Sequence, residues 1–398
     1  MKVKLSIMMF FQFFLWSTWY VSGGTYLIQK LEFSGTQVGL IYGTFAISGL
    51  ISPFLSGILA DRFFSTEKLL AWFHLIGGSL LLGLAFIESF SWFYIVVLLH
   101  TFVYIPTTAL SSSITFHHIE DRTKDFALIR VWGSVGWVLA GFLVGYLEWE
   151  TTIFPFILAG ISAIALGIFC FFLPKTPPLL SAKRRSLRSL LSSESGKLLL
   201  NRAFLVFLIG ITLSRIPASF YYSFVNPFLF EIGVPNPAGR MALGQVAEIF
   251  LMLSLPFVLS KSGLKPLLVI GLLCWGIRYL LFAYGNADDL VWMVYLGILL
   301  HGITYNYTSL VGQIYVDQSV PAELRASAQG FIVFITVGIG PLIGAYLAGS
   351  VVEYHTVAPL VHNWTAIFWV PGAVGVLTGI WFFFAFRPKI NKEPSAEP

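Results

Sequence analysis

Four ionisable side chains sit where ionisable groups are costly. Arg130, Arg215, Glu248 and Arg278 each fall well inside a long apolar run of the chain. A charge at the centre of a membrane-spanning helix costs about 2.5–3.5 kcal/mol on insertion scales, so those that persist face a cavity or a partner. Glu248 is the one carboxylate placed deep in such a run. Burial disfavours a carboxylate's charged form and a nearby cation favours it, so its protonation can switch with solvent access or ligand binding. Proton coupling needs that behaviour, and Glu248 is read as the proton-coupling group; the competing reading is a structural ion pair with an arginine. Gln245 lies three residues earlier on the same helical face. An amide that donates and accepts beside a carboxylate suits a ligand with mixed donors and acceptors.

Helical spacing groups further residues. Arg130, Ser134 and Trp137 fall at i, i+4 and i+7, as do Gln12, Trp16 and Trp19. Each set joins polar groups to an aromatic plane, which suits a flat, heteroatom-rich ring attached to a sugar. Tryptophans at Trp16 and Trp19 also fit packing or a lipid interface, and Arg130 also fits an arginine snorkelling from the start of its helix. His301, Tyr305 and Asn306 form a third set, in which His301 either relays a proton or is a hydrogen-bonded helix residue. His100, its counterpart in the first half, reads as packing, and Gly133, Gly136, Gly141 and Gly145 allow close helix contact. Cys170 and Cys274 lie inside apolar runs without a CxxC spacing, so neither a disulfide framework nor a zinc site is expected. No HExxH, nucleophile elbow or phosphate loop supports an enzyme. The coupling ion is a proton; no metal and no organic cofactor is expected.

These groups need a bilayer scaffold to hold them. The chain has 398 residues, 57% hydrophobic and 11% charged, with a mean hydropathy of +0.82. Soluble domains carry about 25% charged residues. Apolar runs near the roughly 20 residues that span a bilayer recur along the chain. They predict twelve transmembrane helices, at 5–29, 36–60, 67–89, 92–115, 126–147, 152–174, 203–230, 241–260, 266–286, 291–315, 326–349 and 364–386. Of the 24 lysines and arginines, nineteen fall on one side of this arrangement, three lie within spans, and only Lys30 and Arg240 fall on the other side. Both termini are therefore expected in the cytoplasm of a bacterium, the protein being multi-pass in the cytoplasmic (inner) membrane. The net charge of +5 then needs no nucleic-acid partner; lipid and a small-molecule substrate are the partners expected.

The polar stretch from Pro174 to Arg202 divides the spans six and six. The expected organisation is an N-terminal six-helix bundle at 1–174, a cytoplasmic linker at 175–202, a C-terminal six-helix bundle at 203–387 and a disordered cytoplasmic tail at 388–398. The halves echo each other at an offset near 200 residues: Leu98-Leu99-His100 with Tyr104 recurs as Leu299-Leu300-His301 with Tyr305. Parallel six-helix repeats with a central site are the architecture of the major facilitator superfamily, and Gly57-Ile58-Leu59-Ala60-Asp61-Arg62 resembles its signature between the second and third helices. That resemblance implies a gating role for Asp61 and Arg62, a carboxylate capping a helix across the bundle with an arginine as its partner. The fold class expected is all-α integral membrane, two pseudo-symmetric six-helix bundles, with a monomer sufficient for function.

Several segments together resemble the nucleoside:proton symporter family of that superfamily. They are Gln12-Phe13 with Leu15-Trp16 and Trp19, Phe102 with Tyr104 and Pro106-Thr107, Ile129-Arg130-Val131-Trp132-Gly133-Ser134, Gln245 with Glu248, Arg278-Tyr279-Leu280-Leu281-Phe282-Ala283-Tyr284-Gly285, and Arg325-Ala326-Ser327-Ala328-Gln329-Gly330. The resemblance implies proton-coupled nucleoside import by alternating access, with Arg130, Ser134, Trp137, Gln245, Glu248, His301, Tyr305, Asn306, Ser219 and Tyr222 at a substrate site between the bundles. The chain departs from the family pattern where Asn306 replaces an aspartate and where Ser219 and Tyr222 replace a glutamine and an asparagine, with Arg215 and Asn226 nearby. A sugar or glycoside symporter of the same fold and a non-transporting membrane sensor are the alternatives.

Overall fold

The computed structural model describes residues 1–62, 64–121, 124–177, 201–320 and 325–388, with the backbone alone for 53–58, 60–62 and 325–327. Twelve helical segments follow one another along these residues. In the first half they are α1 (Lys2–Tyr20, resuming as Gly23–Gln29), α2 (Gly35–Arg62), α3 (Thr66–Gly83), α4 (Phe90–His117), α5 (Lys124–Tyr146) and α6 (Phe154–Cys170). The second half has α7 (Arg202–Glu231), α8 (Pro237–Ser262), α9 (Leu264–Tyr284), α10, α11 and α12 (Trp364–Ala385). Helix α10 runs from Val291–Leu299 and His301–Tyr305 through a π-turn at Asn306–Leu310 into Val311–Ser319. Helix α11 runs from Arg325–Val333 through a π-turn at Phe334–Ile339 into Gly340–Tyr354. Among the described residues, nine helices are long and apolar enough to cross a membrane. The chain is an integral membrane protein.

Three helix ends differ from expectation, and at the first of them capping chemistry outweighs hydropathy. Helix α8 starts at Pro237, because Asn236 adopts a left-handed conformation (φ 53°) and a proline at the first helical position is already set for the helix. Helix α11 reaches Tyr354, carrying Glu353 into its last turn. Helix α6 ends at Cys170, short of 174. Most of the expected linker (178–200) and tail (389–398) and the side chains of Asp61 and Arg62 lie outside what is described.

The two halves repeat one packing scheme. Helix α1 packs on α5 and α6 as α7 packs on α11 and α12, and α3 packs on α6 as α9 packs on α12. Between the halves, α2 meets α11 and α5 meets α8, with α1 and α7 touching at the centre. These are the two pseudo-symmetric bundles of the major facilitator fold. The crossings are close because small residues line them: a methyl group at Gly39 would stand 2.5 Å from the Ala345 carbonyl oxygen, and one at Gly145 would stand 2.6 Å from the Gly239 nitrogen.

At the end opposite the termini, each bundle holds the other by the same device. Glu353, at the end of α11, accepts the Thr36 N–H at the start of α2 at 3.3 Å. Glu150, in the loop after α5, accepts the Ala238 N–H at the start of α8, also at 3.3 Å. A carboxylate at a helix N-terminus satisfies a backbone donor that has no partner within its own helix and meets the positive end of the helix dipole. Between these two caps, the buried Thr25 hydroxyl of α1 donates to Asn226 Oδ1 of α7 at 2.5 Å.

Candidate functional site

A cavity of about 280 Å³ lies between the bundles. The first bundle gives it an aromatic wall. Trp16 of α1 meets Trp137 of α5 edge to face, with centroids 5.4 Å apart, and stacks on Phe45 of α2 at 5.9 Å. Tyr20 crosses towards Tyr222 of α7 at 5.6 Å, closing the ring of aromatics between the two halves. Arg130 stands at the edge of this wall with its guanidinium carbon 4.0 Å from the Phe13 ring centroid, a cation–π contact that steadies a cation short of water.

The second bundle supplies most of the polar wall. Gln245 and Glu248 project from α8, Ser219, Tyr222 and Arg215 from α7, and His301 and Tyr305 from α10. Glu248 keeps 24% of its side chain exposed, so its carboxyl can exchange protons with the cavity. Arg130 is within electrostatic range across the gap. His301 Nε2 lies 3.6 Å from Glu248 Oε2, and the imidazole stacks on Tyr221 at 4.8 Å. Behind it, the fully buried Arg278 donates from Nε to the Gly297 carbonyl at 3.1 Å, and its guanidinium carbon lies 4.0 Å from the Tyr221 ring centroid. Arg278 binds α9 to α10 and does not reach the cavity wall.

Nine of the ten residues expected at a substrate site line this one cavity: Arg130, Ser134, Trp137, Ser219, Tyr222, Gln245, Glu248, His301 and Tyr305. Asn306 does not. It is fully buried behind the wall, where its Nδ2 donates to the Glu248 backbone carbonyl at 2.9 Å. Asn306 opens the π-turn of α10, which carries its side chain towards α8. The face expected at Gln12, Trp16 and Trp19 also divides. Only Trp16 lines the cavity, while Gln12 is buried in the first bundle, donating to Thr107 Oγ1 at 2.7 Å and meeting His74 Nε2 at 2.9 Å. Trp19 packs on Phe156 at 5.2 Å. The cavity-facing stripe of α1 is Phe13, Trp16 and Tyr20, whose spacing of three and seven fits a helical face equally well. Arg215 is the charged lining residue absent from the expected set. It precedes Ser219 and Tyr222 by four and seven positions, the same face of α7.

An aromatic and sparsely charged chamber between two pseudo-symmetric bundles defines a membrane carrier of the major facilitator type. The family model described as "Nucleoside H+ symporter" matches residues 1–391, and the chain belongs to that family. YegT, a candidate nucleoside transporter of Escherichia coli (strain K12), is 37% identical over 404 residues, covering 98% of this chain and 94% of its own. Xanthosine permease of the same organism is 28% identical over 407 residues, covering 98% and 97%. The crystal structure of the nucleoside transporter NupG, also found in Escherichia coli (strain K12), superposes with a TM-score of 0.90 at 27% identity, covering 98% of this chain and 99% of that one.

Proposed function

We propose that this protein imports nucleosides together with protons across the bacterial inner membrane, with both termini in the cytoplasm and a single chain as the working unit. The observation that carries the reading is the one carboxylate on the cavity wall among the described residues: Glu248 faces the cavity beside Gln245 and within electrostatic range of Arg130. A group so placed can bind a proton in one access state and release it in the other, while the ligand occupies the same chamber. Trp137 and Tyr305 offer faces for a base, and Gln245, Ser134 and Ser219 offer donors and acceptors for its edges and the sugar. Asp61 and Arg62 are the proposed gate at the cytoplasmic end. The lysine and arginine asymmetry supports the orientation.

Uptake of labelled uridine and adenosine into proteoliposomes, with and without an inward proton gradient, tests this for the parent and Glu248→Gln. Gradient-driven accumulation by the parent that is lost in the variant is the expected result. Accumulation that survives in the variant assigns the proton to another group, and no accumulation of either nucleoside by the parent overturns the substrate class.

A further inference from the structure

Arg215 is a cation with a built seat and no counter-charge. Its stem lies against Gly340, where a Cβ would come within 2.7 Å of Arg215 Cγ. Gly340 directly follows the π-turn Phe334–Ile339 of α11. Arg215 Nη2 donates to Ser309 Oγ at 3.2 Å, and Ser309 belongs to the other π-turn, Asn306–Leu310 of α10. Such turns recur at functional sites, and here both of them converge on one side chain. The phenols of Tyr222 and Tyr305 stand within its electrostatic range. Among the described residues no carboxylate pairs with it; the ion pairs found are those of Lys2, His301 and His362. Arg215 Nε is sealed from solvent without a hydrogen-bond partner, so part of the head group is desolvated. Its remaining N–H groups would meet an acceptor in the cavity, whose wall Arg215 forms.

Among the described residues, the charged ones on that wall are Arg130, Arg215 and Glu248. Two guanidiniums against one carboxylate leave an excess positive charge, and protonating Glu248 leaves both cations uncompensated. A desolvated charge without a partner is costly, and a ligand that brings the missing anion recovers that cost on binding. A neutral nucleoside brings none. Tyr222 and Tyr305 line the same cavity as Arg215, so a base stacked on either ring would bring its edge within reach of the guanidinium, which takes a planar oxyanion through paired N–H donors.

We propose that the preferred ligands are nucleosides whose base carries a negative charge at neutral pH, and that Arg215 selects them. This narrows the nucleoside reading and rests on it. The test compares binding of uridine bearing a carboxylate on its base with uridine bearing the isosteric carboxamide, on the full chain in lipid nanodiscs, for the parent, Arg215→Gln and Arg215→Lys. The parent should prefer the carboxylate by about tenfold or more. Arg215→Gln should bring that ratio towards unity, and Arg215→Lys, which keeps the charge and loses the fork, should retain part of it. Equal binding of the two derivatives by the parent, binding of unmodified uridine without either derivative, or a ratio unmoved in Arg215→Gln overturns the proposal and leaves the nucleoside reading standing. If neither derivative nor unmodified uridine and adenosine bind the parent, the nucleoside reading falls and takes this proposal with it.

Discussion

His301 stands between a carboxylate and a guanidinium, with Nε2 3.6 Å from Glu248 Oε2 and Nδ1 3.4 Å from Arg278 Nη1. Arginine can only donate, so Nδ1 is the acceptor and the ring proton belongs on Nε2, pointing at Glu248. A second proton on Nδ1 would face Arg278 directly. The geometry therefore favours a neutral His301 whose Nε2–H faces Glu248; in the proposed mechanism the carboxylate is the group that gains and loses the proton.

Replacing His301 by phenylalanine keeps the ring and its stack on Tyr221 but removes both nitrogens. Gradient-driven uridine accumulation by His301→Phe should persist, with KM raised and the pH profile displaced, because Glu248 keeps its place on the cavity wall and loses the imidazole 3.6 Å away. Arg278 Nη1 would be left with Thr304 alone, 3.4 Å away, at a cost of about 1–3 kcal/mol for the unpaired donor; a lower thermal midpoint in detergent reads that loss. Accumulation abolished with counterflow intact would instead place His301 in the proton path.

Asn306 occupies the place where the family pattern carries an aspartate, and its amide donates to the Glu248 carbonyl. Only a protonated aspartic acid could make that bond; an ionised one would set acceptor against acceptor in a buried site. Asparagine thus holds permanently the hydrogen bond that aspartate would make only when protonated. Asn306→Asp should work at low pH and lose counterflow activity as pH rises, gaining a titration the parent lacks. A pH profile superimposable on the parent's would show that this bond does not govern transport.

Glu150 is only 3% exposed, and burial lifts its carboxyl above the ordinary range, opposed by the N–H groups it accepts and reinforced by Glu148. When the end opposite the termini opens, the group is solvated and returns to its ordinary value. Below that value both arrangements are protonated and pH has no leverage. Between the two values only the open arrangement ionises, so raising the pH withdraws stability from the closed one, and the loss is complete above the raised value. Spin labels at the exposed positions Ser89 and Asp288, one in each half at that end, should show a longer-distance population growing with pH. Glu150→Gln should remove the dependence; an unchanged pH response would mean that another group controls opening.

The spans were legible because a bilayer demands about 20 apolar residues at a time, and the polar wall because charges inside them are rare. What stayed hidden has physical causes. On α1, Trp16 belongs to two stripes, and polarity drew attention to Gln12, which His74 and Thr107 satisfy inside the bundle, when the aromatic stripe through Phe13 and Tyr20 faces the cavity. The π-turns break the regular period on which face assignment rests, and neither leaves a sequence signal of its own; Asn306, at the start of one, consequently turned away from the wall. Arg215 was visible as a charge in a span, but its importance depends on the two π-turns that meet beside it.

Glu150 and Glu353 lie 203 residues apart and cap helices whose first turns, at Ala238 and Thr36, lie 202 apart. Each carboxylate comes from one half and each capped helix from the other. Two identical six-helix chains related by a two-fold axis would contain this contact twice, as any isologous interface must. The end opposite the termini therefore has the form of a homodimer interface, self-complementary between the two halves. Expressed as separate halves, the two bundles should find each other through this interface without a covalent tether.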